Sequence, residues 1–130
     1  MIVVDASALL EVLLRTPGAQ AVEGRLFDSR ETLHAPHLLD IEVAQVLRRY
    51  VANRDIDGER GEAALDDLAA LPLRRYPHHV FLPRVWELRS NLTAYDAAYV
   101  ALAEGLRAVL VTRDRRLASA PDLATTVEVV

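Results

Sequence analysis

The chain reads as an α/β fold, a three-layer α/β/α sandwich in which a central, mainly parallel sheet of four to five strands lies between helices. Three observations predict it. The runs Ile2-Val3-Val4 and Ala108-Val109-Leu110-Val111 have the unbroken apolar character of strands buried on both faces. Longer segments with apolar residues three and four apart separate such runs. Strands alternating with helices imply right-handed crossovers and a parallel sheet covered on both sides.

Met1 to Asp5 forms the first strand and feeds directly into a helix from about Ala6 to Leu14, which ends before the turn signal Pro17-Gly18. A short helix near Ala19 to Phe27 leads to a strand around Thr32 to Ala35, with Pro36 marking the turn. The helix Leu38 to about Ala52 is long, and its apolar face carries Leu39, Val43, Val46, Leu47 and Tyr50. Asp57 to Leu71 is helical until Pro72 stops it, and Leu73 to Tyr76 is a short strand. Val80 to Arg89 is helical around Val85, Trp86 and Leu88, with Pro83 accommodated in the first turn. Thr93 caps a helix whose stripe is Tyr95, Tyr99, Leu102 and Leu106; the strand at Ala108 follows, and Thr126 to Val129 makes an edge strand. No linker, repeat or low-complexity stretch interrupts this order, so residues 1–130 are expected to form a single domain.

Composition removes several function classes. A length of 130 residues suffices for a real core without staples, and the lack of cysteine rules out disulfides and thiolate zinc sites. No apolar run approaches the ~18 residues of a membrane span. No basic segment precedes the first strand, so a protein of the cytoplasm with no membrane partner is expected. All 15 basic residues are arginine, which excludes lysine Schiff bases and the P-loop lysine. A net charge of −4 argues against broad electrostatic binding of nucleic acid, so any such contact must be local.

Four carboxylates sit where an α/β chain places its chemistry. Asp5 and Asp114 follow the ends of strands, and ligands of open α/β sheets bind outside those carboxyl ends. Each has a structural duty that would explain it equally: Asp5 can cap the helix at Ala6, and Asp114 can serve a turn. Thr93-Ala94-Tyr95-Asp96 fits a capping box, in which the acid bonds back to the N-cap amide. On the Leu38 helix, Asp40 and Glu42 fall on opposite borders of the apolar face, and periodicity does not choose between them. If the fold gathers such acids at one sheet edge, they disfavour one another's ionisation and call for a divalent cation, the arrangement of a metal-dependent phosphodiesterase.

Specific blocks of sequence go further. Ile2-Val3-Val4-Asp5-Ala6-Ser7, Glu42 with Val46 and Leu47, the run Asn91-Leu92-Thr93-Ala94-Tyr95-Asp96 continuing to Ala103, and Leu110-Val111-Thr112-Arg113-Asp114 together resemble the PIN-domain family across nearly the whole chain. Within it the chain looks most like the free-standing toxins of type II VapBC toxin–antitoxin pairs. The resemblance implies a Mg²⁺-dependent endoribonuclease, with Mn²⁺ as a substitute ion. It places metal-ligand and catalytic roles on Asp5, Glu42, Asp96 and Asp114, which selects Glu42 over Asp40, and supporting roles on Ser7, Asn91 and Thr112. It also implies a homodimer, a cognate VapB-like antitoxin and an RNA substrate. The expected chemistry is hydrolysis by water activated at the cation, leaving a 5′-phosphate and a 3′-hydroxyl. Arg113, Arg115 and Arg116 are candidates for contacts to RNA phosphates from their position beside Asp114.

Other classes fit less well. A haloacid-dehalogenase-type phosphatase needs a second acid two positions after the first, where this chain has Ser7. A receiver domain needs a lysine. A non-catalytic PIN-like interaction module and a nuclease acting on DNA are the alternatives. His34, His37, His78 and His79 lack a zinc-ligand pattern and read as surface or turn residues. Trp86 reads as a core or subunit contact, because no second aromatic beside it would make a stacking platform for bases.

Overall fold

All three residues of β1 (Ile2–Val4) are apolar and fully buried, a pattern that requires strand neighbours on both edges and cover on both faces. The structure, a computed structural model, describes residues 1–130 and supplies both. β1 lies at the centre of a five-stranded sheet of order β3-β2-β1-β4-β5, with β2 at Leu33–Pro36, β3 at Leu73–Tyr76, β4 at Val109–Thr112 and β5 at Val127–Val129. Every pairing is parallel, and Val3 sits opposite His34 on one side and Leu110 on the other.

The helices are α1 (Ala6–Leu13), α2 (Ala19–Leu26), α3 (Leu38–Ala52), α4 (Gly58–Ala70), α5 (Leu82–Glu87), α6 (Ala94–Leu106) and α7 (Arg115–Ala118). The first four pack on one another, whereas α5 packs on α6, and α6 lies across β1, β2 and β4. Right-handed crossovers explain this division. The chain steps outward from β1 to β3, then returns past β1 to β4, and the reversed step carries α5 and α6 to the opposite face. That reversal makes the gap between β1 and β4 the topological switch point, where open sheets place ligands.

α3 turns its buried Leu39, Val43 and Leu47 inward, each worth roughly 1.5–3 kcal/mol of burial. α6 is more deeply embedded, with every residue from Ala97 to Ala103 buried. Its small alanines let the helix lie close to the sheet. It ends at Arg107, whose left-handed φ of 53° turns the chain into Ala108 and β4. No helix is long and apolar enough to cross a membrane.

Several expectations are corrected by tertiary packing. Pro36 is the last residue of β2, paired with Tyr76, and not a turn; the ladder continues because the next amide, His37, donates to the Tyr76 carbonyl. Pro83 sits in the first turn of α5 as expected, but a 3₁₀ turn, His78–Phe81, precedes that helix. Tyr95 is 65% exposed and lies off the buried stripe of α6, and Trp86 is 68% exposed and belongs to no core. His34 is a buried strand residue: Nδ1 bonds the Tyr76 hydroxyl at 2.6 Å and Nε2 the Thr32 hydroxyl at 2.8 Å, and burial pushes its pKa below the ordinary value. The other three histidines are exposed.

Candidate active site

Asp5 leaves the carboxyl end of β1 and caps α1, so its position is set by the sheet and its orientation by the helix. Oδ1 accepts from the Ala8 amide at 3.0 Å and from the Ser7 hydroxyl at 2.7 Å. Oδ2 accepts from the Thr112 hydroxyl at 2.5 Å, across the β1–β4 gap. Burial pushes the Asp5 carboxyl up from its ordinary value despite those three donors, and the charge of Asp96 adds to the rise. The capping duty weighed from sequence is therefore real, and it coexists with a strained charge.

Glu42 reaches the same edge from α3. Its Oε1 accepts from the Tyr99 hydroxyl at 2.6 Å, and Oε2 has no protein partner. Burial raises its pKa, the Tyr99 bond opposes the rise, and the charges of Asp96 and Asp5 reinforce it. Asp40 points elsewhere and forms a two-point pair with Arg75 on β3, at 2.7 and 3.0 Å.

Asp96 stands in the first turn of α6. Its amide donates to the Thr93 hydroxyl at 3.1 Å, but its carboxylate does not close the reciprocal bond to the Thr93 amide, so the capping box is half made. Burial and then the charge of Asp114 raise its pKa, against the pull of the Thr93 hydroxyl and Arg116. Asp114 caps α7 and receives the Arg116 amide at 2.9 Å and its guanidinium at 3.4 Å. Burial pushes this carboxyl up, but the bonds from Arg116 outweigh it and hold the pKa below the ordinary value.

The fold thus brings Asp5, Glu42 and Asp96 within electrostatic reach at the switch point, and Asp114 within reach of Asp96. Ser7 and Thr112 join them through Asp5, and the Arg113 amide donates to Ser7 Oγ at 3.0 Å. Asn91 is exposed, and no hydrogen bond ties its side chain to the acids. The three arginines differ. Arg113 binds the Val130 carbonyl and lies 3.6 Å from Glu11, Arg116 touches Asp114 at 3.4 Å with most of its side chain exposed, and Arg115 is exposed with no acidic partner. Tyr99 is the residue that the sequence left among the core stripe; a tyrosine three positions after Asp96, on the same side of the helix, was its only signal.

A groove of about 740 Å³ runs between α1 and α3, with Glu42 the member of the four acids on its lining. Ser7, Glu42, Tyr95 and Arg113 stand at the acidic end, and Arg49 and Tyr50 lie further along α3. The donor set is entirely carboxylate oxygen, which suits a hard cation. No three acidic or histidine side chains converge closely enough to form a ready cage. Mg²⁺ fits such an open arrangement, since it keeps several waters and takes one or two carboxylates directly.

A parallel sheet with this switch-point cluster of acids defines the class, and residues 2–123 match the PIN domain. The chain belongs to the PIN-domain family. It is 47% identical over 117 residues to Ribonuclease VapC9 of Mycobacterium tuberculosis, covering 90% of this chain and 88% of that protein. It is 43% identical over 130 residues to Ribonuclease VapC12 of the same organism, covering 100% and 99%. Among solved structures, that of PAE2754 from Pyrobaculum aerophilum superposes with a TM-score of 0.72 at 27% identity, over 99% of this chain and 83% of the other.

Proposed function

We propose that this protein is a Mg²⁺-dependent endoribonuclease, the toxin of a type II toxin–antitoxin pair acting in the cytoplasm. One observation carries the reading: burial and then neighbouring carboxylates raise the pKa values of Asp5, Glu42 and Asp96 beside a groove that Glu42 lines, on a chain 43–47% identical to proteins named as ribonucleases. Buried acids that repel one another are costly at neutral pH unless a cation joins them.

Asp5, Glu42, Asp96 and Asp114 would hold the ion, directly or through its waters. Once bound, Mg²⁺ or Mn²⁺ lowers the pKa of a water and offsets charge on the phosphodiester. The protein's part is positional. Thr112 and Ser7 fix Asp5 at the end of β1, and the groove beside α3 is where a single strand would lie. Arg115, and Arg116 with its 92% exposed side chain and long contacts to Asp114, are the members of the arginine trio able to meet a flanking phosphate.

Partners follow from the same reading. The groove, with its apolar walls at Leu10, Leu14 and Val46, offers an antitoxin segment a way to cover the acids. Leu82 and Tyr95 border an apolar hollow of about 180 Å³, and with Ile41 and Trp86 they expose apolar surface suited to a homodimer.

The test is RNA cleavage with end-mapping in Mg²⁺. Cuts bearing 5′-phosphate and 3′-hydroxyl ends are expected, abolished by EDTA and by Asp5→Asn or Asp96→Asn in proteins that remain folded. Equal cleavage in EDTA would refute the metal. Cleavage confined to duplex DNA would refute the RNase, and no cleavage of any nucleic acid would leave an interaction module.

A further inference from the structure

We propose that Tyr99 is the positioning residue for Glu42, its buried phenol fixing the carboxylate so that Oε2 is the oxygen offered to a cation. The inference rests on the metal-dependent reading above. Tyr99 is 1% exposed, in the stretch of α6 where every residue from Ala97 to Ala103 is buried, so its ring has no freedom to swing. A buried hydroxyl must find a partner, and this one finds neither backbone nor water-facing polar group but the Oε1 atom of Glu42 at 2.6 Å. A hydroxyl donating to a carboxylate is among the stronger neutral-to-charged bonds.

An ionised carboxylate has no hydrogen to give, so in this bond the phenol is the donor. α3 packs with α1 and α4, while α6 packs with α5 and the sheet, so this bond ties together helices that otherwise share little packing. Glu is a long side chain with freedom about each bond, and on α3 nothing else holds it: no other hydrogen bond reaches its carboxylate. Asp5 needs no such device, because two hydroxyls and an amide already grip it. Tyr99 does for Glu42 what Thr112 and Ser7 do for Asp5.

Tyr99→Phe keeps the ring and removes only the hydroxyl. Three results are expected. Mn²⁺ affinity, measured by calorimetry on protein freed of metal, falls by roughly 10-fold or more, the usual loss for a partner that orients a metal ligand. The Glu42 carboxyl carbon resonance of the metal-free protein moves, while that of Asp114 stays. In a Glu42→Gln background, Tyr99→Phe causes no further loss of Mn²⁺ affinity. Unchanged Mn²⁺ affinity in Tyr99→Phe overturns the proposal, and an equal loss in both backgrounds overturns it in favour of general packing. If the wild type binds no Mn²⁺, the metal reading fails, and the Glu42 resonance then decides alone: movement upholds the Tyr99 clamp, and none overturns it.

Discussion

Thr112, the last residue of β4, donates its hydroxyl hydrogen to Oδ2 of Asp5, the first residue after β1, over 2.5 Å. The same oxygen of Thr112 accepts the Asp114 amide at 3.0 Å. A single hydroxyl therefore sets the spacing between two acids that the sequence separates by more than a hundred residues, at the point where the order of strands along the sheet reverses.

Thr112→Val preserves shape and removes that hydroxyl. It leaves Oδ2 of a buried carboxylate without a donor and the Asp114 amide without an acceptor. A loss of about 1–3 kcal/mol is expected by denaturant unfolding, together with weaker cleavage. Wild-type stability would show that the bond contributes nothing net.

Glu42 and Asp40 stand two residues apart on α3 and part company in space. Glu42→Gln should lower RNA cleavage by at least about 10-fold, the loss seen even for residues that only support a metal ligand. Asp40→Asn breaks a half-exposed pair with Arg75, so it should cost less than about 1 kcal/mol of stability and spare cleavage. Initial rates of the two variants on one RNA decide the matter; the reverse ranking would move the function to Asp40.

Stability should depend on pH with opposite signs for two groups of acids. Asp5, Glu42 and Asp96 are raised from ordinary values of 3.8, 4.5 and 3.8. In that window the native state binds more protons than the unfolded chain, so stability falls as pH rises from the ordinary values through the raised ones. Asp114 and Glu104 are lowered, Glu104 chiefly by its bonds from Arg84; their contribution is present above the ordinary values and is lost as pH falls through the depressed ones. The raised acids should therefore lower the melting midpoint of metal-free protein as pH rises above their ordinary values, opposed by buried His34, whose depressed pKa adds stability as pH rises to its ordinary value of 6.5. Mg²⁺ should raise the midpoint more at about pH 8 than at about pH 5, because cation and protons compete for the same oxygens. A Mg²⁺ effect independent of pH would contradict a carboxylate site.

Elements with strong periodicity were legible in the sequence. α3 and β3 have the bounds that apolar spacing predicts, and β4 is displaced by one residue. The failures share a cause. Tyr95 is placed by helical spacing, His34 and the core alternative for Trp86 by residue character, and neither reports which neighbour an element finds. Tyr95 faces a groove because α3 leaves its flank open there, and His34 is buried because β2 became an interior strand with Thr32 and Tyr76 close enough to satisfy both nitrogens.

By itself the sequence determined the α/β class, the alternation of elements and the placing of Asp5 and Asp114 after strands, because local hydrophobic period and strand-end position are written in consecutive residues. The pairing of distant groups was decided only in three dimensions. Glu42 goes to Tyr99 and Asp40 to Arg75, Arg116 touches Asp114, and Asp96 leaves its capping box half closed. Spacing along one helix fixes a face, but which atom a carboxylate meets depends on a second element that arrives from elsewhere in the chain.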